Sequence, residues 1–254
     1  MFPLSDPDLI RRTNPYVTYG LILLNAIVFL YELTLGDLQT TVFFYTWGLI
    51  PAELAHGIEY ETLVVGRQTL SIQATLFGMP VTAWGTLFTS MFIHGGFMHI
   101  AGNMVFLWVF GDDIEDKLGH LKFLIFYLAS GVAAAWTHVS FAMDSQVPTV
   151  GASGAIAGVL GAYLLLYPYS RVRTLVVFFF ITVIRMPAVL LLGAWFVLQL
   201  FNGVGSLGPT AQSTGVAYWA HVGGFVAGAL LMAIFLKLRG EQVWPRYRRS
   251  PWIW

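Results

Sequence analysis

Residues 216–236 read VAYWAHVGGFVAGALLMAIFL, and His221 is the only side chain in this run that can carry a charge near neutral pH. A helix of about 20 apolar residues is long enough to cross the hydrocarbon core of a bilayer. Small residues recur at every fourth position, at Ala220, Gly224 and Gly228. This spacing lets the backbones of two membrane helices approach closely. The stretch therefore predicts a membrane helix that packs tightly on a neighbour and holds a histidine inside the bilayer.

The composition of the whole chain supports the same class. Of its 254 residues, 57% are hydrophobic and only 10% are charged, whereas a soluble domain has about 25% charged residues. Helices satisfy their own backbone hydrogen bonds in lipid, so the sequence predicts an all-α polytopic membrane protein. The net charge is zero, so no overall basic field would attract nucleic acid. The absence of cysteine excludes disulfides, thiolate metal sites and cysteine nucleophiles.

Windows of apolar residues predict six membrane spans. The predicted spans are residues 16–35, 89–110, 121–143, 151–167, 187–203 and 216–236. A seventh apolar stretch, 172–184, is rich in Val, Phe and Thr, and we interpret it as an interfacial or re-entrant segment before the fifth span. The first connection, 36–88, is long and rich in apolar and aromatic residues. It predicts a loop embedded in the membrane interface.

The distribution of basic residues predicts the orientation. With six spans, twelve of the thirteen Lys and Arg residues fall on the side of the two termini, and only Arg67 lies on the other side. Basic residues favour the cytoplasmic side, so both termini are expected there. We expect a cytoplasmic segment at 1–15, one membrane domain at 16–238 and a basic cytoplasmic tail at 239–254. The compact organisation favours a prokaryotic plasma membrane.

Residues 151–154, Gly-Ala-Ser-Gly, place Ser153 at the predicted first turn of the fourth span. The glycines allow a tight turn and a close approach of the backbone. Exposed amides and the positive end of the helix suit a negative charge that develops on a tetrahedral intermediate. By itself, the motif fits better a serine that only caps its helix.

His221 gives Ser153 a candidate base. Gly154, Gly158 and Ala162 repeat the four-residue spacing of small residues in the fourth span. If this face meets the small-residue face of the sixth span, Ser153 and His221 lie at the same depth. A serine becomes a good nucleophile when a neighbouring histidine takes its proton. A single histidine could otherwise serve only in packing, so the pair carries the interpretation.

The second span adds hydrogen-bond donors. His99 and Asn103 are four residues apart, so they share one face of a helix. Both side chains can donate to an oxyanion, together with the Ser153 amide. His94 is expected to point elsewhere on a continuous helix and to have a structural role. A metal site of His94, His99 and His221 is the weaker alternative, because the sequence lacks a histidine pair at i, i+4 and a nearby acidic ligand.

These motifs, in this order, resemble those of the rhomboid intramembrane proteases. The resemblance covers residues 88–236 and rests on three motifs: His94-xxxx-His99-xxx-Asn103, Gly151-x-Ser153-Gly154 and Ala220-His221-xx-Gly224-xxx-Gly228. It implies a six-helix core with a water-filled cavity that opens outward. It also implies Ser153 as nucleophile, His221 as base, and His99, Asn103 and the Ser153 amide as the oxyanion site shaped by Gly151. The implied substrates are single-pass membrane proteins, and no cofactor or metal is implied.

Two features depart from the family pattern. Many relatives carry an aromatic ring one turn after the serine, where this chain has Ala157, and the first loop has no clear Trp-Arg pair. Asp144 in the adjacent loop is a weak candidate for a third catalytic member. Two other functions stay open: a catalytically silent relative that escorts membrane helices, and a small transporter that uses His94, His99 and His221 as a relay. The lipid bilayer is a partner in every case.

Overall fold

A computed structural model describes residues 2–9, 11–73, 75–76, 79–177, 181–207 and 215–243. The fold is mostly helical. Its helices are α1 (Tyr16–Glu32), α2 (Asp37–Trp47), α3 (Pro51–His56), α4 (Ala83–Thr89), α5 (Phe97–Leu118), α6 (His120–Phe141), α7 (Ser153–Leu166), α8 (Ala188–Gly205) and α9 (Tyr218–Leu238). The strands are β1 (Phe2–Ser5), β2 (Thr62–Val65), β3 (Gln68–Ser71), β4 (Thr75–Leu76), β5 (Met79–Pro80), β6 (Arg171–Val177) and β7 (Ile181–Pro187).

Three described helices, α6, α8 and α9, are long and apolar enough to cross a membrane, and the bent pair of α4 and α5 passes the same test as one unit. The helices α1 and α7 are also apolar but have only 17 and 14 residues. Because these two are shorter than the roughly 20 residues of a full span, the count of six spans stays a prediction. Five of the predicted spans match helices whose ends differ by at most three residues.

The prediction of a continuous second span at 89–110 is wrong at both ends. A 3-10 turn at Ser90–Phe92 follows α4, and α5 begins only at Phe97, with an angle of 83° across the break. The cause is Gly96, whose φ of +150° lies in a region that side-chain-bearing residues rarely adopt. At its other end, α5 continues to Leu118. The additional residues form an acidic stretch, which hydropathy alone excluded from the predicted span.

Acidic side chains at the end of α5 form hydrogen bonds and an ion pair with the N-terminal part of the chain. The Glu115 carboxylate accepts hydrogen bonds from the backbone N–H groups of Val17 and Thr18, at 2.9 and 2.7 Å. These are first-turn donors of α1, which have no partner within their own helix. Arg11 forms an ion pair with Asp112 at 2.9 Å. The acidic residues therefore cap α1 and hold the N-terminal segment against α5.

The described parts of the stretch, residues 172–177 and 181–184, belong to two β-strands, so the protein is not entirely α-helical. β6 and β7 are antiparallel, and β1 joins the other edge of β6 to give the order β1-β6-β7. The many Val, Ile and Thr residues of the stretch fit a pleated strand better than a membrane helix. Its position at the membrane interface stays a prediction.

The N-terminal segment is also fixed by Asp6. Its carboxylate accepts hydrogen bonds from the Tyr163 hydroxyl and from Ser170 Oγ, the latter at 2.8 Å. Burial raises the pKa of Asp6 above its usual range. The boundary between segments 1–15 and 16–238 stays a prediction. Of the predicted tail, residues 244–254 lie outside the described residues.

The first connection folds into α2, α3, α4 and the hairpins β2–β3 and β4–β5. Leu49 forms a backbone bridge with Thr149, just before the Ser153 motif. The connection is therefore tied to the loop that precedes α7. Its burial in the membrane interface stays a prediction.

The centre of the fold is α7, in which every residue from Gly154 to Tyr163 is buried. The predicted close contact between the fourth and sixth spans is confirmed. A Cβ atom on Gly224 would lie 2.0 Å from the Gly154 carbonyl oxygen, and one on Gly228 would lie 2.0 Å from the Gly158 carbonyl oxygen. At these two positions the α7 and α9 backbones touch with no room for a side chain.

We expect Gly228→Ala to destabilise the protein by at least about 1–3 kcal/mol, because the added methyl group meets a backbone atom that cannot move aside. Thermal unfolding of the purified protein in detergent measures the effect. Gly193→Ala is the matched control, since nothing lies within 4 Å of a Cβ atom at that position on α8. Equal melting temperatures for the two variants would contradict the predicted role of the contact.

Candidate active site

Ser153 is the first residue of α7, so its backbone N–H has no partner within the helix. The chain reaches it through Gly151, whose φ is +126°. The Gly151 N–H donates to the Ser90 carbonyl oxygen at 2.8 Å. This bond fixes the turn before the serine and uses the Gly151 amide. The Ser153 amide is one of the amides at the start of α7 that have no partner within the helix.

His221 lies in the first turn of α9, on the side facing Ser153. Its Nε2 atom is 2.8 Å from Ser153 Oγ, a normal hydrogen-bond distance. The glycine contact between α7 and α9 explains this geometry, because both helices begin at the same level and their backbones touch just below. The structure thus brings together the two residues that the sequence paired.

A residue that the sequence analysis missed completes the environment of His221. Gln199 on α8 places Oε1 at 2.8 Å from His221 Nδ1. The Trp195 ring lies tilted against the imidazole, with 5.8 Å between the ring centroids. Gln199 is an amide within an apolar span. Polar side chains inside a membrane are costly and usually functional, so this placement could have identified it.

Asp144 is not part of this cluster. Its carboxylate contacts His56, the last residue of α3, at 3.0 Å, and its side chain is almost fully exposed. Ala157, at the position where an aromatic ring was expected from the family, is fully buried in α7. The ring that contacts His221 comes from α8 instead.

The break before α5 brings His94 to Asn103 and His99, because the condition under which it would point elsewhere, a continuous helix, is not met. Its Nε2 atom is 2.9 Å from Asn103 Nδ2, and its ring centroid is 5.0 Å from that of His99. The backbone N–H of His94 donates to the Glu32 carboxylate at 3.2 Å. His94 is 1% exposed, and it links the end of α1 to Asn103 on α5.

His99 faces the turn at Gly151. A Cβ atom on Gly151 would lie 2.6 Å from His99 Nε2 and 3.7 Å from Ser153 Oγ, so these groups border one small space. The Gly95 N–H donates to His99 Nδ1 at 3.3 Å. A neutral imidazole that accepts at Nδ1 carries its proton on Nε2. His99 therefore presents an N–H group towards Gly151 and Ser153.

The described side chains offer no arrangement that supports a metal site. Within the part of the chain that the structure describes, no three His, Asp or Glu side chains are grouped so that they could hold a metal ion. His94 already uses Nε2 for Asn103, and His221 uses both ring nitrogens for Ser153 and Gln199. Hydrogen bonds link the members of the cluster.

Comparison with known proteins gives a consistent result. The chain is 29% identical over 154 residues to Rhomboid protein 1, mitochondrial, of Saccharomyces cerevisiae, which covers 59% of this chain and 41% of that protein. It is 41% identical over 81 residues to Rhomboid protease GluP of Bacillus subtilis, covering 32% and 15%. It is 37% identical over 105 residues to the Putative rhomboid protease YdcA of Bacillus subtilis, covering 41% and 51%.

The matched regions thus span about half, or less, of these relatives. A sequence model described as the rhomboid domain matches residues 81–238 of this chain. This region covers more than half of the 254 residues and includes His94, His99, Asn103, Ser153, Gln199 and His221. The resemblance given by the three motifs is therefore confirmed, and the chain belongs to the rhomboid family.

Proposed function

We propose that this protein is an intramembrane serine endopeptidase that hydrolyses peptide bonds in or near the transmembrane helices of other membrane proteins. The observation that carries the proposal is the 2.8 Å contact between Ser153 Oγ and His221 Nε2 at the start of a helix. The family and the relatives named as proteases support the same reaction class. Apolar helices long enough to cross a bilayer support a location within the membrane.

In the proposed reaction, Ser153 Oγ attacks the carbonyl carbon of the scissile bond while its proton passes to His221 Nε2. The tetrahedral intermediate collapses with cleavage of the C–N bond. His221 then gives its proton to the leaving amine. A water molecule, activated by the same nitrogen, releases the acyl group from Ser153 and restores the starting state. No cofactor takes part in these steps.

The negative charge on the intermediate needs preorganised donors. The Ser153 N–H and the Nε2–H group of His99 border the space where this oxygen would lie. Asn103 uses one amide hydrogen for His94 Nε2, which leaves the second for the oxyanion. In this scheme the His99 ring lies where a Cβ atom of Gly151 would be, so this position requires a glycine. His94 holds Asn103 in position through their hydrogen bond.

A site within the bilayer selects its substrates by access. Peptide bonds inside a helix are protected by hydrogen bonds, so a substrate must unwind locally before Ser153 can reach a carbonyl group. We therefore propose single-pass membrane proteins whose helices contain small or helix-breaking residues as the substrate class. We further propose that both termini are cytoplasmic, that the site opens outward, and that the membrane is a prokaryotic plasma membrane.

We expect Ser153→Ala and His221→Ala each to reduce cleavage of a helix-destabilised single-pass substrate to less than about one-thousandth of the wild-type rate. The assay uses purified protein in liposomes, with cleavage followed on gels. Ser140→Ala and His56→Ala are matched controls, because both side chains are exposed and make other contacts. Wild-type activity should survive chelators. Wild-type binding without cleavage, unchanged in both active-site variants, would favour an escort protein instead.

We expect Gly151→Ala to reduce cleavage by about 10²–10³-fold, the usual effect of losing an oxyanion donor. The methyl group would displace the His99 ring, and the backbone at φ +126° would be strained by about 1–3 kcal/mol. Gly95→Ala is the control, since its Cβ atom would contact the same ring at an ordinary 3.8 Å. Cleavage rates and melting temperatures are measured together. A Gly151→Ala enzyme as active as Gly95→Ala would remove His99 from the proposed oxyanion site.

The absence of cysteine makes the orientation easy to test. We expect Asp144→Cys, in the loop between α6 and α7, to react in intact cells with a maleimide that does not cross membranes. Lys237→Cys, at the opposite end of α9, should react only after the cells are opened. The reverse labelling pattern would place both termini outside.

A further inference from the structure

We propose that Gln199 is the residue that positions the base, by holding His221 in the tautomer that can accept a proton from Ser153. The inference rests on the proposed function and assigns the orienting role that an aspartate has in Ser-His-Asp triads to a neutral amide on α8. No sequence motif of the chain pointed to this residue.

The hydrogen bonds around Gln199 fix the orientation of its amide. The Nε2 group donates to the Trp195 carbonyl oxygen one turn earlier on α8, at 3.4 Å. The Oε1 atom therefore faces His221 Nδ1, at 2.8 Å. An amide oxygen can only accept, so the imidazole carries its proton on Nδ1. The lone pair of Nε2 is then directed at Ser153 Oγ, as a general base requires.

The surroundings of His221 leave this role to Gln199. The titratable groups that act on the imidazole are His99 on α5 and His138 on α6. Helices α7 and α8 supply the neutral side chains of Ser153 and Gln199. Among the described residues, no carboxylate forms an ion pair with His221. An acceptor is still needed, since without one the proton could move to Nε2 and face Ser153.

The position of Gln199 is itself fixed by packing. The residue is 9% exposed, although many of its neighbours on α8 are exposed. Phe196, one turn before it, stacks on Phe225 of α9 with 4.5 Å between the ring centroids. Trp195 contacts both His221 and Phe225. These rings hold α8 against α9 at the level where the amide meets the imidazole.

Three variants test the inference: Gln199→Leu, Gln199→Glu and the matched control Asn202→Leu, an exposed amide one turn further along α8. Two rates are measured from about pH 5 to 9 on purified protein: substrate cleavage, and labelling of Ser153 by a fluorophosphonate. Ser153→Ala gives the background. Labelling reports the reactivity of the serine independently of substrate binding.

We expect Gln199→Leu to lower both rates by about tenfold, the effect of losing one hydrogen bond. Gln199→Glu should restore the rates above those of Gln199→Leu. It should also move the acidic limb of the pH profile to higher pH, since a carboxylate stabilises protonated His221. A purely structural role would not produce this shift. Asn202→Leu should match the wild type.

Equal rates and an unchanged pH profile in all three variants would overturn the inference while leaving the proposed function intact. If Gln199→Leu fails to fold, the shift or constancy of the Gln199→Glu profile decides. Wild-type protein that neither cleaves nor labels above the Ser153→Ala background would overturn the proposed function, and the inference with it.

Discussion

The arrangement depends on the direct contact between the backbones of α7 and α9. Ser153 and His221 belong to different helices, so the hydrogen bond of 2.8 Å between them requires α7 and α9 to pack closely. Glycines at Gly154, Gly158, Gly224 and Gly228 make this close packing possible. A shift of about 1 Å would already take the pair out of hydrogen-bond range. The packing of α7 on α9 therefore sets the distance between Ser153 and His221.

The second half of the cluster depends on an interruption rather than on a contact. The break at Gly96 turns the chain by 83° between α4 and α5 and returns His94 towards Asn103. The Glu32 carboxylate at the end of α1 accepts a hydrogen bond from the His94 backbone N–H, and this bond stabilises the bend. Helix α1, the segment that follows α4 and the start of α5 thus meet at one corner. That corner supports the donors His99 and Asn103 opposite the serine.

The sequence was informative where a local pattern has one structural meaning. The glycine spacing predicted the α7–α9 contact, and with it the approach of His221 to Ser153. Three features escaped it for identifiable reasons. A hydropathy window does not register that two glycines interrupt an apolar run, so the break before α5 was missed. Gln199 was overlooked because one amide hardly changes the apolarity of its span. The β-sheet depends on pairing between Phe2–Ser5 and Arg171–Val177, which no local window can detect.

That sheet has a consequence for handling the protein. Strand β1 covers one edge of β6, and β6 begins five residues after α7 ends. Removing residues 2–5, or crowding them with a bulky fusion, would leave the backbone donors and acceptors of that edge unpaired. Uncovered edges of this kind recruit strands from other molecules. We expect changes to residues 2–5 that break this pairing to add the β6 edge to the unpaired edges of the sheet.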